Sequence, residues 1–223
     1  MKYLVLDFET TGLYTNSADR YVPYAADVAP LPRDNYPVEL AAALVGADGR
    51  IEKEMTLLVR GATRLSPWVH AHCPHLSVAA CERDGVDFME ALQRLSDMVV
   101  GTEQQGVAAC TLVAHNLQYD WDEVIVRTVH ERGETDHAAF VALNSLPKWC
   151  TCVNPFTKGD RSAYYWRKLG KWIGPKLGDL CRKHGVAYDA DAAHAALYDV
   201  QVTAQCLWRQ KGGGSDPARC VRV

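Results

Sequence analysis

With 223 residues the chain is long enough for one sizeable core and too short to need two domains. Hydrophobic residues at 48% and charged ones at 23% are the proportions of an ordinary globular protein, and no apolar run approaches a membrane span. The formal net charge of −3 excludes a wholly basic nucleic-acid glove, so polyanion binding would have to come from a local patch. The eight cysteines are scattered without a CxxC pair, and the N-terminus does not read as a secretory signal. They are therefore expected as reduced thiols in a cytosol-like compartment, with no membrane partner.

Residues 2–7 read as a first strand, and it ends in Asp7-Phe8-Glu9-Thr10-Thr11-Gly12. Side chains alternate along a strand, so Asp7 and Glu9 share one face while Leu6 and Phe8 point into the core. Two carboxylates on one face repel unless a cation sits between them, and hard oxygen ligands suit magnesium or manganese. Taken alone, the pair would be a solvated strand end, with Thr10 and Thr11 as turn residues.

From residue 14 to 37 the chain is polar and punctuated by Pro23, Pro30, Pro32 and Pro37, a long loop of the functional or mobile kind. Residues 38–46 resume as a strand, Ala47-Asp48-Gly49 signals a hairpin, and a third strand follows over 50–60, giving an antiparallel meander. Ser66 is placed to cap a helix that begins at Pro67. That helix runs into His70-Ala71-His72-Cys73-Pro74-His75, where three histidines and a cysteine could hold a transition metal. Pro74 interrupts the local geometry and no second cluster stands at ligand spacing, so the expectation is a solvated or partly packed helix end.

Residues 86–100 show a helical period in Phe88, Leu92, Leu95 and Val99, stopped by Gly101. A buried strand over 108–114 leads through His115-Asn116 into a helix that runs to Gly133, and 146–152 is a short strand. Residues 156–176 lack a clean period. Helices are expected over 177–184, stopped by Gly185, and over 195–210, before a Gly-rich tail at 211–223. A meander first, then strands alternating with helices, predicts one α/β domain over 1–210, a mixed sheet flanked by helices.

Asp120 stands near the start of its helix and Asp199 in the first turns of the last one, with His194 five residues earlier. Five helical residues at 100° each would put His194 and Asp199 about 140° apart, off a common face. They can converge if His194 lies in the loop before the helix, and Asp191 is then a candidate upstream capping partner.

Three stretches in order carry a resemblance: Asp7-Phe8-Glu9-Thr10-Thr11-Gly12, His115-Asn116-Leu117-Gln118-Tyr119-Asp120 and His194-Ala195-Ala196-Leu197-Tyr198-Asp199. Together they resemble the three exonuclease motifs of the DEDD superfamily, and the His-x-Ala-x-x-Asp form resembles its histidine (DEDDh) branch, which includes proofreading subunits and RNase T-like enzymes. The resemblance covers most of residues 2–210. It implies a ribonuclease H-like fold and a metal-dependent 3′–5′ exonuclease. By the same resemblance Asp7, Glu9, Asp120 and Asp199 would hold two divalent cations, Mg2+ or Mn2+, and His194 would be the general base. The family residue matching Thr10 helps hold the terminal nucleotide. Thr11, His115 and Asn116 are further candidates for the substrate, although His115 and Asn116 could simply shape the loop. Tyr119 is expected to pack into the core.

Between Lys148 and His184 nine cations face only Asp160 and Asp179, a local charge of +7, interleaved with Phe156, Tyr164, Tyr165, Trp166 and Trp172. Cations hold a phosphate backbone and aromatic faces stack unpaired bases, which suits a single-stranded 3′ end at Tyr164, Tyr165, Trp166, Arg167 and Lys168. The plainer reading is a solvated basic loop whose aromatics pack inward. The 14–37 loop and this basic segment depart from the family pattern. DNA is the favoured substrate, an exoribonuclease is the alternative, and an inactive nucleic-acid-binding scaffold is the reading from another class. Family members commonly dimerise, and the proofreading subunits among them serve a polymerase, so a second copy or a replication partner is compatible with the resemblance.

Overall fold

A computed structural model describes residues 1–12, 35–100, 110–152 and 174–212, and the backbone alone of 164–166 and 171–173. Alternation along the first strand sets the layers. β1 (Lys2–Thr10) sends Leu4, Leu6 and Phe8 into one hydrophobic cluster and Val5 into another, on the opposite face. β2 (Pro37–Val45) runs antiparallel to β1 and is buried along its whole length, with β3 (Ile51–Leu58) on its far edge. β4 (Cys110–Ala114) and β5 (Lys148–Cys150) extend the sheet parallel to β1, in the order β3–β2–β1–β4–β5. This is the mixed sheet predicted above, a meander joined to parallel strands.

Helices α1 (Pro67–His72), α2 (Val78–Asp84) and α3 (Phe88–Asp97) follow the meander. After β4 comes a π-helical stretch, Tyr119–Val126, that continues as α4 (Arg127–Arg132) and ends on left-handed Gly133. α5 (Ala138–Ser145) precedes β5, and α6 (Leu177–His184) and α7 (Ala196–Gln210) close the described chain. Phe88, Leu92 and Leu95 of α3, Val124, Ile125 and Val129 of the π/α4 helix and Phe140 and Leu143 of α5 cover the Leu4 face. The other face takes α7, whose Ala196, Val200, Ala204 and Leu207 meet Val5, Ala41, Ala43, Val45 and Val113. Two alanines on β2 leave room for that helix to lie close to the sheet, and the packed surface is what holds it there.

Several expectations need adjustment. α2 and α5 were not anticipated: at seven and eight residues they are too short to show a period, and α2 buries only Cys81. The strand expected over 146–152 narrows to β5, which ends at Cys150, and two residues on the Cys152 thiol bonds to the Pro175 carbonyl. Where 156–176 showed no period, the backbone forms a hairpin of β6 (Tyr164–Trp166) and β7 (Lys171–Ile173). The expected 14–37 loop falls largely outside the described residues, as does the tail beyond 212. The seven cysteines described are all free thiols.

Gly49 turns the β2–β3 hairpin at φ +84°, and a Cβ there would lie 2.5 Å from the Trp208 ring near the end of α7. Glycine is required on both counts, conformation and space. Gly49→Ala should therefore lower the melting temperature by roughly 3–10 °C in a calorimetric scan. An unchanged transition would mean that the hairpin does not clamp α7.

Candidate active site

The carboxylate end of β1 is built where its parallel neighbour gives out. β4 pairs with β1 only as far as Val5, leaving later amides on that edge to other acceptors. Asp120, 2% exposed on the π-helical stretch, accepts from the Phe8 amide through Oδ1 at 3.0 Å. An acid from the far side of β4 is thereby anchored between Asp7 and Glu9. π-Helical turns of this kind recur at functional sites because the extra residue re-aims a side chain.

On the other side of β1, Glu9 stands directly opposite Glu39 of β2. The start of α7 reaches over both. Glu9, His194 and Asp199 each bring a donor atom within 4.8 Å of the others. His194 is not on the helix: it lies in the preceding turn at φ +66°, and its amide donates to Asp199 Oδ2 at 3.2 Å. The convergence expected of a loop histidine is realised, but not through Asp191. The N-cap residue, Ala195, has no side-chain cap, and the Asp191 amide bonds instead to Asp189 Oδ1. In place of that cap, Glu39 Oε2 accepts from the Ala196 amide at 3.3 Å.

Burial and crowding govern the electrostatics. Burial, then the charges of Asp120, Glu9, Asp199 and Glu39, hold the Asp7 carboxyl well above its ordinary range. Burial, then Asp199, Glu39 and Asp120, pushes Glu9 up to about 8, against a lowering hydrogen bond from the Cys73 thiol. Burial alone takes Asp120 up to about 8, opposed by the Phe8 amide, and Asp199 to about 6, opposed by the His194 amide. His194 moves the other way, lowered by burial and then by the nearby His72, which favours the neutral imidazole.

The remaining candidates differ in what surrounds them. Thr10 lies beside the acids with its hydroxyl bonded to the Gly12 carbonyl and 2.7 Å from the Tyr119 hydroxyl, while Tyr119 packs against the core as expected. Thr11 and His115 are engaged within the protein. The Thr11 hydroxyl accepts from the Tyr36 amide, and its carbonyl accepts from Ser66, which caps α1. The two ring nitrogens of His115 meet Thr151 Oγ1 and the Pro175 carbonyl, each at 3.0 Å, and burial lowers its pKa to about 4. Asn116 is exposed at φ +62° in the turn before the π-helical stretch. Tyr164, Tyr165 and Trp166 are described as hairpin backbone only, and Arg167 and Lys168 lie outside the described residues.

Sequence reasoning missed one wall of the site. The His70–His75 segment, expected as a solvated or partly packed helix end, is packed at Cys73 and faces the acids. Cys73 is buried with its thiol 3.8 Å from Glu9 Oε2, and His75 Nε2 is 3.2 Å from Glu39 Oε2. Trp68, 44% exposed, stacks on His72 at 4.2 Å and presents an edge to His194 at 4.9 Å. The cause is the Ser66–Thr11 bond, which pins the start of α1 beside the first motif. Glu39 did leave a sequence signal: it is the one charged residue in an otherwise apolar stretch from Pro37 to Val45.

The donor set fits divalent cations. It offers hard carboxylate oxygens, crowded enough to resist ionising alone, and Asp199 Oδ1 is buried with no hydrogen-bond partner among the described residues. Asp7, Glu9, Asp120 and Asp199 are the residues that could hold them.

No family profile matches the chain. It is 28% identical to ribonuclease T of Yersinia enterocolitica over 124 residues, which is 53% of this chain and 49% of that protein. Ribonuclease T of Shigella boydii is also 28% identical, over 61% of this chain and 59% of that one. The chain thus spans about half to three-fifths of the curated relatives it matches. Among solved structures, a zinc-bound complex of E. coli exonuclease I with single-stranded DNA superposes with a TM-score of 0.60 at 14% identity, covering 95% of this chain and 40% of that one. Exonuclease I of Methylocaldum szegediense gives 0.58 at 16% identity over 94% and 40%. These likenesses establish a shared fold.

The raised carboxyls carry a stability signature. Folded, they keep protons that the unfolded chain would release, so without metal the cluster's contribution falls as pH rises from about 4 to about 8. In EDTA the melting temperature should drop between pH 5 and 8, and magnesium should raise it more at pH 8 than at pH 6. An equal magnesium shift at both pH values would remove these acids as its binding site.

Proposed function

We propose that this chain is a DEDD-type 3′–5′ exonuclease that removes nucleotides from the 3′ end of nucleic acid, a reading supported by the ribonuclease T relatives and the exonuclease I neighbours. The observation that supports it most is the convergence of Asp7, Glu9, Asp120 and Asp199, from three separated stretches, with His194 beside Glu9 and Asp199. Two divalent cations, magnesium or manganese, held by those four acids would offset charge on the scissile phosphate and the leaving oxygen. His194 accepts the proton of the attacking water, a role that suits an imidazole whose neutral form is favoured by burial. Water adds to phosphorus, the 3′ oxygen of the penultimate nucleotide leaves, and a nucleoside 5′-monophosphate is released. Thr10, beside the acids, holds the terminal nucleotide.

Single-stranded DNA is the favoured substrate, in keeping with the oligonucleotides bound by exonuclease I neighbours. The name of the ribonuclease T relatives supports RNA as the second reading. A scaffold reading sits poorly with a buried carboxylate cluster that costs stability. We take residues 1–210 as the exonuclease domain of an intracellular enzyme, a location that rests on the free thiols of the described cysteines.

A gel time course with 5′-labelled and 3′-labelled single-stranded DNA and matched RNA tests this. Shortening from the 3′ end, abolished by EDTA, is expected. Asp7→Ala or Asp199→Ala should lower the rate at least about 10³-fold. His194→Ala should lower it about 10²–10⁴-fold while the magnesium-induced thermal shift survives. An Asp199→Ala rate within a few-fold of the parent would overturn the assignment. Charge reversal at Arg167 and Lys168 should weaken oligonucleotide binding and flatten its salt dependence, and an unchanged slope would place them away from the strand.

A further inference from the structure

Glu39 lies outside the four acids assigned above, yet it sits among them. It is 6% exposed and faces Glu9 across the β1–β2 ladder. Like charges directly opposite on a sheet are unfavourable, so a carboxylate at this position needs a compensating role.

Its contacts supply one. The single oxygen Oε2 lies 3.3 Å from the Ala196 amide and 3.2 Å from His75 Nε2. Ala196 is the first residue of α7, and its N–H is one of the donors that a helix start leaves without an intrahelical partner. Helices normally meet that need with a serine, threonine, aspartate or asparagine at the N-cap, but Ala195 has no such side chain. The cap comes instead from a neighbouring strand. Two residues before Ala196, His194 holds φ +66°, a left-handed conformation costly for a residue with a side chain. That turn is held at both sides: Asp199 Oδ2 takes the His194 amide and Glu39 takes the Ala196 amide.

We propose that Glu39 is a positioning residue, which caps α7 from β2 and thereby fixes the left-handed turn that aims His194 into the site. It acts through the backbone of residues 194–196, with His75 orienting its carboxylate. The kinetic part of this inference rests on the exonuclease reading; the structural part does not.

The test compares Glu39→Ala and Glu39→Gln by two readouts, steady-state kinetics on a labelled oligonucleotide with magnesium and amide hydrogen exchange of the peptide covering 190–198. Glu39→Ala should speed exchange at least 10-fold and lower kcat about 100-fold with KM within threefold, the scale of loss that misplacing a catalytic group brings. Glu39→Gln keeps an oxygen that can accept from Ala196 and should restore both to within about fivefold of the parent. Should Glu39→Ala fail to fold, Ala196→Pro removes the same N–H. Proline is tolerated at a first helical position, and Ala195 at φ −100° and ψ 113° already has the extended geometry proline asks of its predecessor. It should reproduce the loss of kcat and the faster exchange. Parent-like exchange and kcat in Glu39→Ala would overturn the proposal. So would a Glu39→Gln as slow as Glu39→Ala with exchange still protected, since the charge rather than the cap would then matter. A parent protein with no nuclease activity would sink the exonuclease reading and leave exchange to decide the cap.

Discussion

Mutual repulsion among buried carboxylates is the constraint to which the rest of the structure answers. Burial raises the proton affinity of Asp7, Glu9, Asp120 and Asp199, neighbouring charges, that of Glu39 included, add to it at Asp7 and Glu9, and no lysine or arginine is hydrogen-bonded to these acids among the described residues. Such a set persists only if rigid elements hold it. Backbone amides do part of that work: Phe8 for Asp120, His194 for Asp199 and Ala196 for Glu39. Each amide partly steadies a negative charge without the mobility of a cationic side chain.

The hydrophobic packing supplies the rigidity. β1 is covered on both faces and paired with β2 through Thr10, so the acids at its end stand on a strand that the core holds in place. Truncating a buried leucine such as Leu6 or Leu40 in such a layer typically costs 2–5 kcal/mol, which is enough to loosen the end of the strand. Stability and site geometry are therefore one problem in this protein. The Leu4 face secures the strand, and the Val5 face delivers Asp199 to it.

Legibility in the sequence followed the range of the interactions. Asp7 and Glu9 were readable because period-two alternation is local, and α6 and α7 because Gly185 and a long apolar period mark them. The place of His194 was anticipated by geometry, since no helix could have joined it to Asp199. Glu39, Cys73 and His75 were not assigned because their partners are distant in sequence: Glu39 bonds to Ala196 and Cys73 to Glu9. Asp191 was a natural local cap, and a strand carboxylate took its place. Short helices such as α2 gave no period to read, and their position is set by the core beneath them.

The contact between Gly49 and Trp208 has a consequence for α7 when set beside the cap at its other end. From Ala196 to Trp208 is twelve steps of 1.5 Å, about 18 Å of helix. One end is stopped by β2 and the other by the hairpin that follows β2. The helix is thus a spacer of fixed length between those two stops. Substitutions along its outward side leave that length unchanged. A residue added or removed between the stops shifts one end by 1.5 Å and turns it by 100°, so that Asp199 and Trp208 cannot both keep their seats.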